Sequence, residues 1–484
     1  MKKVCATGHL GGRRRWPLLV LPLWLAACAV PTPPAAVPSA APVQWQAPLP
    51  HNGRLADLTQ WWQQFNDPLL VQLIEAAQAA SPNVASARAT LEQARATRVS
   101  AGAALLPSAQ AVLNTTRQND VATTRQLTIS DSQQQLQFSW EIDVFGHARA
   151  ARNAAQARLE GAQALWHDAR VSVAAEVANQ YIGYRSCEQL LATARADAQS
   201  RAETARLTEL STRAGFESSA SAALARASAA QGASQARQQQ AECDVAVKVL
   251  VELAALDEPA LRRQLAQAGD GAALPQPATL QVADVPAQVL AQRPDMLAAE
   301  REVVASSADV GASLANRYPS LSLTGAIGRE RYNSGARGAH TLEGSTWTLG
   351  PLALTLPLFD GGARAAQTGA ARARYTEAVN SYRAKVRTAV REVEEALVRL
   401  DSTGARAEDA QHAVDGYRSS LAASQARYQG GLGNLFELEE ARRLALQAET
   451  AWIALQRERV GAWIALYRAV GGGWSRPTDD LAKN

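Results

Sequence analysis

A whole arrangement of prolines and helical sequence occurs twice in this chain, and the two copies are 212 residues apart. Pro82 opens a helical stretch that ends before Pro107, and Pro294 opens another that ends before Pro319. Each stretch is followed by a segment with the alternating pattern of a β-strand. Solenoid repeats span about 20–50 residues, so this much longer unit indicates a tandem duplication of a whole fold unit. We therefore expect the two halves to build equivalent parts of one object.

The first 27 residues have the pattern of a secretory signal peptide. A basic segment precedes the apolar run Trp16–Leu25, which is too short to span a bilayer. The sequence Leu25-Ala26-Ala27-Cys28 then resembles the bacterial lipobox, whose cysteine carries lipid and becomes the new N-terminus. A chance cysteine after an ordinary signal peptide is the alternative. Because a Pro/Ala-rich stretch typical of a tether follows, we predict that Cys28 is lipidated.

The charge of the chain gives no reason to expect nucleic acid as a partner. The formal net charge is +4, but residues 1–27 carry five basic residues and no acidic ones. The remainder has 44 basic against 45 acidic residues. A nucleic-acid-binding domain would carry a basic excess on one face, so the balance indicates an ordinary solvated surface.

Two long windows without proline predict two helical hairpins. No proline occurs between Pro107 and Pro259 or between Pro357 and Pro477, and both windows are rich in Ala, Arg, Glu and Gln. The first helix of each hairpin would span about 67 residues, or about 100 Å at 1.5 Å per residue. Such lengths are typical of a coiled coil or a tube rather than of a globular domain. The four predicted helices are 146–213, 218–256, 362–428 and 434–470, with tips near Gly215 and Gly431.

Four segments of alternating apolar and polar residues predict strands at the opposite end from the tips. Their length of about ten residues is that of tilted transmembrane strands, although soluble hairpins packed on a helix are the alternative. Four strands cannot close a membrane barrel, and an open edge in lipid leaves backbone groups unsatisfied. If these strands lie in a membrane, the chain must therefore oligomerise. The candidate strands are Ser108–Thr116, Ser132–Val144, Ser320–Gly328 and Leu352–Leu358, with polar loops at Gln118–Asp131 and Arg329–Gly344.

Three motifs carry a resemblance to a known family. The stretch Trp61–Leu70, the sequence Arg293-Pro294-Asp295 and the junction Pro357–Gly362 resemble the outer-membrane factors of the TolC family. The similarity extends over residues 54–474 and is strongest to the NodT-type efflux lipoprotein branch. It implies a mainly α fold with a membrane β-barrel: three chains would form a twelve-stranded barrel and a periplasmic tunnel of long helical hairpins.

The resemblance also divides the chain and assigns its partners. The expected parts are a signal peptide at 1–27, a lipid-anchored Pro/Ala-rich tether at 28–53, outer-membrane-factor repeats at 54–270 and 271–474, and a tail at 475–484. The implied partners are two further copies in a homotrimer, a periplasmic adaptor, an inner-membrane transporter of the RND type, and outer-membrane lipid. The implied location is the outer membrane, with a lipid anchor and a periplasmic tunnel.

The sequence offers no constellation for catalysis or metal binding. Its six histidines lack a ligand spacing such as His-Glu-x-x-His, and no phosphate loop is present. Glu392, Glu394 and Glu395 lie among arginines and are interpreted as solvated i,i+4 pairs rather than acid/base groups. We therefore expect no enzyme activity and no cofactor besides the covalent lipid on Cys28.

Two cysteines of the mature chain are placed symmetrically about the first tip. Cys187 and Cys243 each lie 28 residues from Gly215, so they should face each other across the hairpin. The periplasm is oxidising, which predicts a disulfide between them. Two small buried apolar residues in facing layers are the alternative. The second hairpin has no such pair, which makes it the better candidate for the moving part of a gate.

Both tips combine glycine with an exposed apolar residue. In the family that the chain resembles, the tips contact the adaptor, and charges just above them constrict the tunnel. Simple helix caps are the alternative interpretation. The predicted tip residues are Gly215, Phe216, Gly430, Gly431 and Leu432, and the candidate gate charges are Arg213, Glu217, Arg427 and Glu437.

These features favour the outer-membrane channel of a tripartite efflux pump that passively exports drugs or other toxic solutes. Two alternatives remain open at this point. One is the outer-membrane duct of a type I protein secretion system, and the other is a periplasmic coiled-coil lipoprotein without a pore. Methionine-mediated copper or silver export is disfavoured, because Met1 and Met296 are the only methionines.

Overall fold

The computed structural model describes residues 30–38, 41–47, 58–120, 127–268, 274–277, 286–334 and 341–474. The chain divides into two compact units. The sheet unit comprises Ala94–Leu159 and Glu302–Val379 with the N-terminal segment up to Val37. The helical unit comprises Pro38–Gln93, Glu160–Arg301 and the chain from Asn380 onward. Each unit therefore draws on both predicted repeats, and the repeat boundaries themselves stay a prediction.

The order of elements repeats once along the chain. After a 3₁₀ helix at Leu58–Phe65, each half contributes a 22-residue helix, two strands, a 67-residue helix and a helix of 36 or 35 residues. The elements are α1 (Pro68–Ala80), α2 (Pro82–Ala103), β1 (Ser108–Asp120), β2 (Leu127–Ile142), α3 (His147–Arg213), α4 (Ser219–Ala254), α5 (Glu258–Gln267), α6 (Pro286–Ala291), α7 (Pro294–Ala315), β3 (Ser320–Ser334), β4 (Thr341–Thr355), α8 (Ala363–Gln429) and α9 (Leu435–Ala469). The predicted duplication is confirmed element by element.

The long helices begin and end where the sequence predicts, within two residues. Gly146 precedes α3 with a φ of 83°, and Gly362 precedes α8 with a φ of 91°. These are left-handed conformations that favour glycine and set the direction of the helix that follows. No proline interrupts either helix, so the i→i−4 hydrogen bonds continue unbroken over 67 residues.

The four strands form one antiparallel sheet in the order β1-β2-β3-β4. The strands are longer than predicted, because much of each supposed polar loop is paired backbone. For example, Gln133 lies opposite Glu330, and the Gln133 amide donates to the Glu330 carboxylate at 3.4 Å. Polar cross-strand pairs of this kind extend a ladder without apolar alternation, which is why the pattern ended too early. The predicted strand at Leu352–Leu358 is also displaced, since β4 covers Thr341–Thr355.

One face of the sheet is apolar and exposed. On β2 the exposed apolar side chains of this face include Phe138 and Trp140, and on β4 Trp347 and Leu349 are 76% and 78% exposed. The register places Phe138 opposite Gly325, which in turn lies opposite Leu349. The remaining large apolar side chains of the face are Leu113, Leu136, Ile142, Leu321, Leu323, Ile327, Leu352 and Leu354.

The core of the helical unit gathers around the 3₁₀ helix. Trp61 is fully buried and stacks on Tyr467 of α9 at 4.6 Å between ring centroids. Asp67 caps α1 by accepting from two backbone N–H groups, and it also accepts from the hydroxyl of Tyr181 at 2.5 Å. The motif of Trp61 and Asp67 thus packs helices against one another.

Part of the predicted tether is packed onto the helical unit. Trp45 is buried, and the backbone N–H groups of Gln46 and Ala47 donate to the two carboxylate oxygens of Glu394 at 2.7 and 2.8 Å. The interpretation of Glu394 as a solvated helical pair is therefore wrong. The interpretation holds for Glu395, which pairs with Arg391 one turn earlier.

Arg293 ties three helices together. It binds the carboxylate of Asp295 with two hydrogen bonds of 3.0 and 2.9 Å. It also donates to Glu392 of α8 at 2.8 Å and to the carbonyl of Ala469 of α9 at 2.9 Å. The prediction for Glu392 is thus also wrong, because its partner is a buried arginine 99 residues away. Burial alone would raise the pKa of Asp295, but the hydrogen bonds and charge of Arg293, with Lys385, hold it below its usual range.

Candidate functional site

The first tip is a tight turn between α3 and α4. Gly215 has a φ of 84°, and the N–H of Phe216 donates to the carbonyl of Ser211 at 2.9 Å. Bonds of this kind close the end of a helix with a glycine in the left-handed region. Ser218 then caps α4 by accepting from the N–H of Ser221 at 3.0 Å. The Phe216 side chain is left 86% exposed at the tip.

The second tip is built the same way. Gly431 has a φ of 73°, and the N–H of Leu432 donates to the carbonyl of Arg427 at 2.8 Å. Asn434 caps α9 by accepting from the N–H of Glu437 at 2.8 Å. Leu432 is 79% exposed, and Phe436 in the first turn of α9 is 76% exposed. Both tips therefore present large apolar side chains to solvent, which is typical of an interaction surface.

The sequence analysis did not identify Phe436 as a tip residue. It lies four positions after Leu432, one helical turn further along the chain. An apolar residue at that spacing on the same side as an exposed leucine is the signal that would have found it.

The candidate gate charges lie near the tips but pair within their own hairpins. Arg213 lies 3.3 Å from Glu209, which is also paired with Arg226 of α4 at 2.9 Å. Arg427 lies 3.8 Å from Glu437. Hydrogen bonds from Arg226 and then Arg213 lower the pKa of Glu209, so this carboxylate is ionised at neutral pH. Glu209 is a charge that the sequence analysis did not select.

One hydrogen bond connects the two hairpins just above the tips. The hydroxyl of Tyr428, in the last turn of α8, lies 2.7 Å from that of Thr208 on α3. Thr208 is buried and also donates to the carbonyl of Thr204 in its own helix. Tyr428 is therefore the acceptor or donor of a bond that holds the second hairpin to the first.

The two mature cysteines form a disulfide in the structure. Cys187 of α3 and Cys243 of α4 are joined, with 5.5 Å between their Cα atoms and a sequence separation of 56. Both are buried beside Leu191. The bridge fastens α3 to α4 about halfway along the first hairpin.

Cys28, the predicted lipidation site, lies outside the described residues. Within those residues, no helix is both long enough and apolar enough to cross a membrane. Across the same part of the chain, no three His, Cys, Asp or Glu side chains are grouped so as to hold a metal ion.

The fold defines the class of protein. The chain superposes on the outer-membrane channel OprN with a TM-score of 0.82 and 26% identity, over 92% of this chain and 99% of that one. The outer membrane channel CmeC of Campylobacter jejuni shares the fold with a TM-score of 0.81, over 93% of this chain and 96% of the other. A four-stranded sheet carrying two long helical hairpins is thus the architecture of outer-membrane channel subunits.

Sequence comparison then identifies the family. The family model of the outer membrane efflux proteins matches residues 73–257 and 285–472, and this chain belongs to that family. It is 29% identical over 473 residues to the pyoverdine export outer membrane protein OpmQ of Pseudomonas aeruginosa, covering 95% of this chain and 97% of the relative. It is 27% identical over 439 residues to nodulation protein T of Rhizobium leguminosarum bv. viciae, covering 90% and 88%. The resemblance to TolC-family efflux proteins is confirmed, and with it the outer-membrane location.

Proposed function

We propose that this chain is the outer-membrane channel of a tripartite efflux pump. Three copies form a continuous duct, through which small toxic solutes leave the periplasm without any covalent step. The work is passive, because the energy is supplied by an inner-membrane transporter of the RND type. The relatives named for pumps, such as the toluene efflux pump outer membrane protein TtgI of Pseudomonas putida, favour efflux over protein secretion.

The observation that carries this proposal is the exposed apolar face of a sheet with two open edges. Among the described residues, β1 pairs with β2 alone and β4 pairs with β3 alone. Lipid offers no hydrogen bonds to such edges, so a sheet in a membrane must close on itself. Joining β4 of one chain to β1 of the next in a trimer gives twelve strands and removes every edge.

The strand lengths support this closure. The four strands have 13, 16, 15 and 15 residues. Transmembrane strands need about 9–11 residues when tilted by about 45°. The apolar face covers the inner part of each strand, while the polar ends of β1, β2 and β3 near Asp120, Leu127 and Ser334 extend beyond it.

The tips are the proposed contact with the periplasmic adaptor. Phe216, Leu432 and Phe436 supply exposed apolar side chains on capped and rigid turns. The charges Arg213, Glu217, Arg427 and Glu437 surround them and would restrict the opening. An adaptor that binds this surface would need matching apolar pockets with a polar rim.

A lipid anchor at Cys28 fits the same arrangement. Residues 30–37 belong to the sheet unit, where the hydroxyl of Ser307 donates to the carbonyl of Pro33 at 2.6 Å. The hydroxyl of Tyr375 donates to the carbonyl of Pro34 at 2.8 Å. Cys28 is only two residues before this docked segment, so its lipid would enter the membrane beside the strands. Palmitate labelling of the wild type, with Cys28→Ser as the unlabelled control, tests the anchor.

Export in cells tests the function. Cells that lack their own channel should regain low ethidium accumulation when this chain is expressed with its adaptor and transporter. A transporter variant without activity should abolish the effect. Failure of the chain to reduce ethidium accumulation, despite stable trimers in the outer membrane, would contradict the proposal.

A further inference from the structure

A buried cluster of four charged side chains lies between the two hairpins. Asp197 and Arg201 come from α3, and Glu439 and Arg442 come from α9. Their side chains are only 3–17% exposed. The cluster is electrically balanced, with two carboxylates and two guanidinium groups.

Glu439 is the centre of this cluster. Its carboxylate accepts from Arg201 at 2.9 Å, from Arg442 at 2.5 Å and from the hydroxyl of Ser228 on α4 at 2.7 Å. Arg201 also donates to Asp197 at 2.7 Å. One carboxylate of the second hairpin is thereby bound to both helices of the first.

Arg442 strengthens the same connection from the other side. Its guanidinium donates to the hydroxyls of Ser200 and Thr204 on α3, at 3.0 and 3.1 Å. A glycine makes room for the arrangement, because a Cβ at Gly232 of α4 would lie 2.8 Å from the Cδ of Arg201. The close approach of α4 to α3 at this level therefore depends on the missing side chain.

The end of α8 is held differently. Its described connection to the first hairpin near the tip is the bond between Tyr428 and Thr208. A cavity of about 330 Å³ lies beside it, lined by Ser200, Thr204 and Leu207 of α3, Gln425 and Tyr428 of α8, and Leu438 of α9. This space allows the last turns of α8 to shift without a clash.

The ties between α8 and α9 are also weak ones. Arg406 pairs with Glu458 and Arg418 with Glu449, and in both pairs the arginine is more than half exposed. Exposed ion pairs contribute little because water and salt screen them. Breaking a buried pair leaves an uncompensated charge in a poorly solvated place, which is far more costly.

We propose that α9 stays bound to α3 and α4 when the tip opens, and that the end of α8 is the part that moves. The inference rests on the proposed channel function and refines it. The asymmetry of the cysteines indicated the second hairpin as the moving part. The cluster narrows this to one helix, because it fastens α9 while α8 keeps a single neutral bond and a cavity.

Reversible cross-linking tests the proposal. The moving pair is Thr208→Cys with Tyr428→Cys, and the fixed pair is Ser228→Cys with Glu439→Cys. Each is joined in cells by a short bis-methanethiosulfonate reagent, and ethidium accumulation is measured before and after reduction. Because the fixed pair removes part of the cluster, a second fixed pair, Asn179→Cys with Gly461→Cys, leaves it intact. A Cβ at Gly461 lies 3.9 Å from Asn179 Oδ1, so α3 and α9 are close there as well.

The expected result is a clear separation of the pairs. Cross-linking of the moving pair should raise ethidium accumulation to the level of cells without the channel, and reduction should restore export. Cross-linked fixed pairs should export like the wild type treated in the same way. Loss of export with both fixed pairs, or normal export with a fully cross-linked moving pair, would overturn the proposal. If the untreated wild type does not export at all, the proposed function fails instead.

Discussion

The hydroxyl groups of Tyr428 and Thr208 lie 2.7 Å apart and join the last turn of α8 to α3. This bond lies one turn above the second tip, where Gly430 and Gly431 end the helix. It is a neutral hydrogen bond, and such a bond contributes about 0.5–1.5 kcal/mol. A contact of that size can hold a closed state and still be broken when an adaptor binds.

Tyr428→Phe and Thr208→Val should therefore raise the closed-state conductance of the channel in planar bilayers. By the energy of one hydrogen bond, the open population should rise about two- to tenfold. Thr450→Val is the matched control, because the exposed hydroxyl of Thr450 donates to the carbonyl of Leu446 in its own helix. Equal conductance for all three variants and the wild type would count against a closing role for this bond.

The gate charges predict a salt-sensitive effect. Arg213→Ala and Glu437→Ala each remove one member of an exposed ion pair, and such pairs contribute about 0–1 kcal/mol. Closed-state conductance should rise severalfold at low ionic strength, and the difference should shrink in high salt. Arg443→Ala is the control, since Arg443 pairs with Glu440 on the surface of α9. A conductance unchanged in both tip variants would argue against gating by these charges.

The disulfide predicts mature protein without reactive thiols at Cys187 and Cys243. A thiol reagent should label both residues only after reduction. Replacing the pair with alanine should lower the apparent melting temperature, because a bridge closing a loop of this length stabilises by up to about 4 kcal/mol in the chain-entropy model. Two reactive thiols in the unreduced, folded trimer would contradict the bridge.

Arg293→Ala should destabilise the helical unit more than Arg293→Lys. Removing one partner of a buried ion pair costs about 3–5 kcal/mol, and lysine cannot reproduce the paired hydrogen bonds to Asp295. The apparent melting temperature of the solubilised trimer measures the loss. Arg391→Ala is the control, because the ion pair of Arg391 is exposed.

The same pair predicts a stability loss in acid. The pKa of Asp295 is lower in the folded than in the unfolded chain, where it is about 3.9. Its ionised form therefore stabilises the fold above that value, and the contribution is lost as the pH falls through the folded-state pKa. Asp295→Asn should flatten this part of the acid unfolding curve. An identical curve for the variant and the wild type below about pH 4 would contradict the assignment.

The exposed face of the sheet predicts a sided response to charge. Leu349→Arg places a charge on the apolar face of β4, where a lipid-facing arginine costs about 2–4 kcal/mol at the bilayer midplane. It should reduce the yield of membrane-inserted trimer. Thr348→Arg points to the other face of the same strand and should be tolerated. If Thr348→Arg were the more damaging substitution, the face assignment would be reversed.

The repeated features of the fold could be predicted from the sequence, because their signals are long. The absence of proline over 67-residue helices and the 212-residue offset of the proline pairs are cooperative patterns that local noise does not erase. The tips followed from glycine, and the cysteine pair from symmetry about Gly215. The strand ends did not follow, because backbone pairing continues through polar residues such as Gln133.

The partners of single charged residues could not be predicted. Glu392, Glu394 and Glu395 are neighbours in sequence, yet they bind Arg293, the backbone at Gln46 and Ala47, and Arg391. Only the last is a local helical pair. The other contacts join residues 99 and 348 positions apart, so they depend on the packing of helices and not on local spacing.

The central claim is that three copies of this chain close their sheets into one conducting channel. The most direct measurement combines native mass determination with single-channel recording of the same purified, lipid-reconstituted protein. We expect a heat-modifiable trimer that conducts ions when the tip bond of Tyr428 is removed. A monomer that inserts no conductance under these conditions, or a trimer that never conducts with or without Tyr428, would contradict the account.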